Sequence, residues 1–173
     1  VMKGRRVLVT VPVLARNLRQ LVNIVSLAHK LGVREIQFNF PRPVELPDRV
    51  ITDPVPRLSV AAPWVRRVAA VAQKVGMAVS TEGLPFCHLP PELHSGPDSS
   101  EEWRRHRIDD LHLVHESVAD VRATQRPDAV PCRDCAARAA CPRTWALYLE
   151  LYGSGELTPF DETSAAGRPV ATQ

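Results

Sequence analysis

"RVLVTVPVLARNLRQLVNIVSLAHKLGVREIQFNF", residues 6–40, places a helical pattern between two apolar stretches. Residues 6–13 are almost continuously β-branched or apolar, which is typical of a strand covered on both faces in a parallel sheet. From residue 18 to 31 the apolar side chains recur every three or four positions, and Gly32 follows where a glycine often ends a helix. Residues 34–40 read as a second strand. Together they predict a βαβ unit with parallel strands.

The pattern then repeats after a segment rich in proline. Residues 41–63 contain six prolines, which predict an irregular loop that covers or builds a site. Residues 64–75 resume helical spacing up to Gly76, and residues 77–87 predict a third strand that leads directly to Cys87. Farther on, residues 99–127 begin with capping-box spacing and carry an apolar stripe, which predicts a helix.

Composition narrows the function classes. The chain has a net charge of +3 and only 5% aromatic residues, and it lacks the dense basic stripe that is typical of a nucleic-acid-binding protein. No apolar run approaches the length of a membrane span, and no signal peptide is recognisable, so we expect a soluble, cytoplasmic protein. In a reducing compartment, four cysteines are better explained as metal ligands or redox groups than as disulfides.

The cysteines follow the pattern C-x44-C-x2-C-x5-C, at Cys87, Cys132, Cys135 and Cys141. A CxxC turn can direct two sulfurs at one metal, and we expect Pro142 to begin a helix that places Cys141 at its N-terminus. Cys87, at the end of the third strand, lies where open α/β folds place ligands, so it is the expected fourth ligand. Zn²⁺ and [4Fe–4S] both accept four thiolates; the spacing favours iron–sulfur and leaves zinc open.

Two parts of the chain resemble the radical S-adenosylmethionine (SAM) enzymes. The strands and helices of residues 6–40, with the strand ending in "STEGLPFC", resemble the last part of that family's partial TIM-like (β/α)₆ barrel. The segment "CRDCAARAACPRTWALYLELYG" resembles the cysteine-rich extension that follows the barrel in many members. The resemblance implies C-terminal barrel elements over residues 1–86, an iron–sulfur module over 87–160 and a disordered tail over 161–173.

The resemblance also implies roles for individual residues. The four cysteines would bind an auxiliary [4Fe–4S] cluster, and Asn17, Asn39 and Glu82 would contact SAM or substrate. The full-length enzyme would cleave SAM to a 5′-deoxyadenosyl radical and act as an oxidoreductase on a peptide, natural product or other small molecule. Its electron donor would be a protein such as ferredoxin or flavodoxin.

Two departures from the family pattern matter. The Cys-x3-Cys-x2-Cys motif that binds the catalytic cluster is absent, so we expect the chain as given to be inactive alone. Either an N-terminal half is missing, which the abrupt start favours, or the chain is a degenerate binding remnant. Arg143 also stands where similar extensions often carry glycine. The alternative function is a zinc-stabilised Cys₄ α/β binding module without catalysis.

Overall fold

A computed structural model describes residues 7–46, 49–51, 54–94, 107–108, 116–117 and 124–161. The strands are β1 (Leu8–Pro12), β2 (Glu35–Asn39), β3 (Val44–Leu46), β4 (Arg49–Ile51), β5 (Ala78–Glu82), β6 (Arg107–Ile108) and β7 (Glu116–Ser117). The α-helices are α1 (Leu21–Lys30), α2 (Leu58–Lys74) and α3 (Ala146–Tyr152), and short 3-10 helices cover Leu18–Gln20, Phe86–His88, Pro91–Leu93 and Val130–Cys132. In this part of the chain no helix has the length and apolar character needed to cross a membrane.

The centre of the fold is a three-stranded parallel sheet in the order β1-β2-β5. The predicted βαβ unit is therefore confirmed, and the third strand extends it to βαβαβ. Pro12, Asn39 and Glu82 are paired in register at the ends of the three strands. The carboxyl ends of all three strands thus meet at one edge of the sheet, where open α/β folds place ligands.

The two faces of the sheet differ in polarity. Helices α1 and α2 contact each other, and the apolar side chains of Ile36 and Phe38 are fully buried in the core that both helices join. The alternate positions of the strands carry polar side chains, among them Thr10 and Gln37, which share a hydrogen bond of 3.2 Å. The sheet therefore has one apolar face under the helices and one mainly polar face.

The proline-rich segment is more ordered than its sequence predicts. Val44–Leu46 pairs antiparallel with Arg49–Ile51, and α2 begins at Leu58 instead of residue 64, so that Pro63 lies inside the helix. The prediction of an irregular loop over residues 41–63 was wrong for these parts. A proline interior to a helix removes a backbone hydrogen bond, so the early start needs support from elsewhere.

That support comes from the C-terminal segment. The backbone N–H of Leu58 donates to the buried Tyr148 hydroxyl at 2.8 Å, and this hydroxyl donates in turn to the Glu156 carboxylate. The Ser59 N–H donates to Glu156 at 3.1 Å, and the Arg57 Nε lies 3.4 Å from the same carboxylate. A carboxylate at a helix N-terminus satisfies free N–H groups and favours the helix dipole. Tyr148 and Glu156 thus cap α2 from about 90 residues away in sequence.

Two other expectations about helices need correction. Arg107–Ile108 pair antiparallel with Glu116–Ser117, so a single helix across residues 99–127 is wrong; the rest of that range up to residue 123 lies outside the described residues. Helix α3 begins at Ala146, not at Pro142, although it does end at the expected Gly153, whose φ is 70°. The predicted tail over 162–173 also lies outside the described residues.

We predict that Tyr148→Phe destabilises the fold by about 1–3 kcal/mol, because it leaves the buried Leu58 N–H without its acceptor. Tyr152→Phe is the matched control: it makes the same change one turn along α3, where the described residues give the hydroxyl no hydrogen bond. Urea unfolding of both variants measures the difference. Equal stability losses in the two variants would contradict the remote capping of α2.

Candidate metal centre

All four cysteines lie around one pocket. Its cavity volume is about 20 Å³, and every cysteine lines it. Apolar side chains form most of the remaining wall: Pro85, Pro127, Ala129, Ala137, Leu149, Leu157, Pro159 and Phe160. The structure therefore brings Cys87 together with three cysteines that follow it by 45 or more residues.

Cys87 reaches the pocket from a short 3-10 helix and not from the strand itself. Strand β5 ends at Glu82, and the chain then turns at Gly83 before Phe86–His88 places Cys87 at the pocket wall. The expectation that Cys87 directly ends the strand was wrong by five residues. Its placement at the carboxyl edge of the sheet still follows, because the loop leaves β5 at that edge.

A hydrogen bond to sulfur joins the Cys87 loop to the later cysteines. The backbone N–H of Phe86 lies 3.4 Å from the Sγ of Cys141 and donates to it. Backbone N–H groups that point at cysteine sulfurs stabilise the thiolate form and are a means by which proteins tune iron–sulfur sites. The two halves of the cysteine set are therefore connected through one of the sulfurs themselves.

The CxxC turn is held by residue 160. The backbone N–H of Phe160 donates to the Sγ of Cys135 at 3.3 Å, and the Phe160 carbonyl accepts from the Ala136 N–H at 2.9 Å. These reciprocal bonds tie the segment after α3 to the turn that carries Cys132 and Cys135. The backbone of Thr158 makes a comparable contact with Cys87, so this returning segment touches both sides of the pocket.

Arg143 adopts a backbone conformation that normally suits glycine. Its φ is 62°, and its backbone N–H is directed at the Cys141 sulfur two residues earlier. Its guanidinium Nε lies 2.8 Å from Asp128, whose other carboxylate oxygen accepts from Arg138 at 2.7 Å. A non-glycine residue in this region costs about 1–2 kcal/mol, so the sulfur contact and the ion pair must hold it there.

This conformation also corrects the position expected for Cys141. Because residues 142–145 have no regular secondary structure and α3 begins only at Ala146, Cys141 does not sit at a helix N-terminus. The groups around its sulfur are instead two backbone N–H donors, from Phe86 and Arg143. A distant loop, through Phe86, and the neighbouring Arg143 thus supply the donors that the sequence pattern assigned to a helix end.

Burial favours the protonated form of three of the four thiols. The pKa of Cys87 is raised to about 11, mainly by loss of solvent; the backbone of Thr158 lowers it, and the nearby sulfurs of Cys141 and Cys132 also raise it. Burial also raises the pKa of Cys132 and of Cys141. A bound metal ion reverses this preference, because its charge stabilises the thiolates and the site then releases protons.

The described residues do not already converge as ligands of a single ion. Among them, no group of three or more His, Cys, Asp or Glu side chains could hold a metal ion as positioned. His88, which follows Cys87, contacts the Glu156 carbonyl through Nε2 at 2.8 Å. The His88 side chain therefore supports the backbone near the pocket.

The other predicted site residues separate into two groups. The Asn39 side-chain amide donates to Glu82 at 2.9 Å, so these two residues are in contact at the carboxyl edge of the sheet. The Asn17 side chain instead accepts from the Leu14 N–H at 2.9 Å and donates to the Pro12 carbonyl at 2.8 Å. Asn17 thus holds the turn after β1 through local hydrogen bonds.

Arg126 lies beside Glu82 at the carboxyl edge of the sheet, and the sequence patterns did not predict it as a site residue. It is 3% exposed, its guanidinium lies 3.5 Å from Glu82, and its Cζ is 3.9 Å above the Trp145 ring. The Trp145 indole N–H donates to the Phe40 carbonyl at 2.8 Å. Isolated Arg and Trp residues give no motif, so only the packing reveals that they link the cysteine segment to the sheet.

We predict that Gly83→Ala destabilises the protein more than Gly76→Ala. Both glycines have a left-handed φ, near 73° and 72°, so each substitution carries a backbone cost of about 1–2 kcal/mol. A Cβ at Gly83 would also lie 2.7 Å from the Phe40 carbonyl and 3.1 Å from the Trp145 indole nitrogen, whereas Gly76 has open space. Thermal unfolding measures both, and equal losses would contradict this tight junction.

Comparison with known proteins identifies no relative: no family model, curated protein or solved structure matches the chain.

Proposed function

We propose that this chain is the iron–sulfur-binding C-terminal portion of a radical SAM enzyme, with Cys87, Cys132, Cys135 and Cys141 as ligands of an auxiliary [4Fe–4S] cluster. One observation carries the proposal. Four thiols from two distant parts of the sequence line a single, mostly apolar pocket. Thiolate is the ligand that iron–sulfur clusters require, and four of them complete one cluster.

The environment of the sulfurs supports an anionic cluster. Backbone N–H groups of Phe86, Arg143, Thr158 and Phe160 approach the sulfurs of Cys141, Cys87 and Cys135. The pocket wall also includes Arg143, whose positive charge offsets the negative charge of four thiolates.

The α/β body supports placement at the end of a partial (β/α)₆ barrel. The strand order β1-β2-β5 adds each strand beside the preceding one, and both crossover helices lie on the same side, as in consecutive βα units of a barrel. The opposite face carries polar side chains such as Gln37, which would line the barrel interior. Barrel enzymes place their active sites at the carboxyl ends of the strands.

The chain's own residues would then have three tasks. The four cysteines hold the cluster, which when bound relays single electrons or anchors a substrate. Leu149, Leu157 and Phe160 limit the access of water to it. At the adjoining edge, Asn39 and Glu82 would orient SAM or a peptide or small-molecule substrate, Glu82 through a carboxylate that accepts from an amine or ribose hydroxyl.

SAM cleavage itself belongs to a second cluster, bound by a Cys-x3-Cys-x2-Cys motif that these residues do not contain. The encoding gene tests this part of the proposal. A reading frame that continues upstream of Val1 and encodes such a motif would support it. A reading frame with no such motif would contradict the radical SAM assignment while leaving the cluster assignment open to the measurement below.

We predict that anaerobic reconstitution with iron and sulfide gives about four irons and four sulfides per chain, as expected for one [4Fe–4S] cluster. The Cys132→Ala, Cys135→Ala double variant should lose this content, because two of four ligands are gone. Iron and sulfide assays with the visible absorption spectrum measure it. Asp134→Asn is the matched control, since Asp134 lies between the two cysteines but is exposed.

Two outcomes would contradict the proposal. Stoichiometric zinc in a colourless protein would favour the binding-module alternative, in which the same cysteines have a structural role. Unchanged iron content in Cys87→Ala would remove Cys87 from the ligand set and leave three cysteines from one segment.

A further inference from the structure

Thr144 places a buried hydroxyl in the wall of the cysteine pocket. The residue is 2% exposed and lines the pocket between Arg143 and the buried Trp145. Within the described chain, its Oγ1 has no hydrogen-bond partner. Buried hydroxyls almost always have a partner, because an unpaired one loses its hydration without compensation.

The usual role of a threonine just before a helix does not explain the buried Thr144 hydroxyl. Threonine just ahead of a helix commonly caps the first turn. Here the N-cap position of α3 is Trp145, and no side chain forms a cap hydrogen bond there. The hydroxyl therefore serves neither the helix nor the protein core, while the pocket it lines is the one that holds the four thiols.

We infer that the Thr144 hydroxyl donates a hydrogen bond to a sulfur of the group bound in this pocket, which makes Thr144 a positioning residue for the cluster. The inference rests on the proposed function. An iron–sulfur cluster offers thiolate and sulfide acceptors, so an O–H donor beside it satisfies both partners. Hydrogen bonds to the sulfurs stabilise the more negative, reduced state and raise the reduction potential.

Removal of the Thr144 hydroxyl should affect the metal-free and the reconstituted chain differently. In the metal-free chain, Thr144→Val removes an unpaired buried hydroxyl and should leave the melting temperature unchanged or raise it by a few degrees. In the reconstituted chain the same substitution removes a hydrogen bond to the cluster. There it should lower the melting temperature and make the midpoint potential more negative.

Thr144→Ser is the matched control, because it keeps the hydroxyl and should resemble the wild type in potential. Thr144→Ala provides a second hydroxyl-free variant if the valine variant does not fold. For each variant, the quantity compared is the melting temperature of the reconstituted chain minus that of the metal-free chain. The full 173-residue chain, reconstituted with iron and sulfide, is the material for both measurements.

The outcomes separate this inference from the function on which it rests. A wild-type chain that takes up no cluster ends both. Suppose instead that the wild-type chain takes up the cluster. If a hydroxyl-free variant then has the same potential and the same change in melting temperature in both states, the role of Thr144 is overturned, while the proposed function stands. A loss of melting temperature that occurs only in the reconstituted chain, together with a lower potential that Thr144→Ser does not show, supports it.

Discussion

The hydrogen bond from the Trp145 indole to the Phe40 carbonyl is the contact on which the arrangement of this molecule depends. Phe40 directly follows β2, and Trp145 directly precedes α3, so the bond fastens the cysteine-rich segment to the carboxyl edge of the sheet. Arg126 covers the other side of the indole and pairs with Glu82 on β5. Because this junction is buried, neither polar group can turn to water, and breaking it leaves both unpaired.

The junction also explains why the cysteines meet. Once Trp145 is fixed at the sheet edge, Cys141 lies beside the loop that carries Cys87, and the Phe86 N–H reaches its sulfur. On the far side, α3 and the segment after it return to the body, where Tyr148 and Glu156 cap α2 and Phe160 holds the CxxC turn. The cap of α2 and the wall of the pocket are therefore built by one short stretch of chain.

Two opposing effects act on the protonation of the cysteine thiols in this site. Burial raises the pKa of three of its thiols, while backbone N–H groups point at sulfurs and would stabilise thiolates. If the site binds a metal group as we propose, binding would be coupled to release of protons from these thiols. We expect the stability of the whole chain to depend on whether the cluster is bound, since the segment that borders the pocket also caps α2.

Patterns that act over a few residues were predictable. The periodicity of residues 6–40 and the glycines at 32, 76 and 153 located strands and helix ends, because those signals depend on local backbone preference. The gathering of Cys87 with the later cysteines followed from the rule that ligands collect at the carboxyl edge. The early start of α2 was not predictable, because its cap comes from Tyr148 and Glu156, and neither was the left-handed Arg143.

X-ray absorption of the anaerobically reconstituted chain tests the central claim, that four cysteines bind one iron–sulfur cluster, most directly. We expect an iron edge with a shell of sulfur neighbours and a second shell of iron neighbours, the latter lost in the Cys132→Ala, Cys135→Ala double variant. A zinc edge with only four sulfurs at about 2.3 Å would contradict the claim and assign the site to a single structural ion.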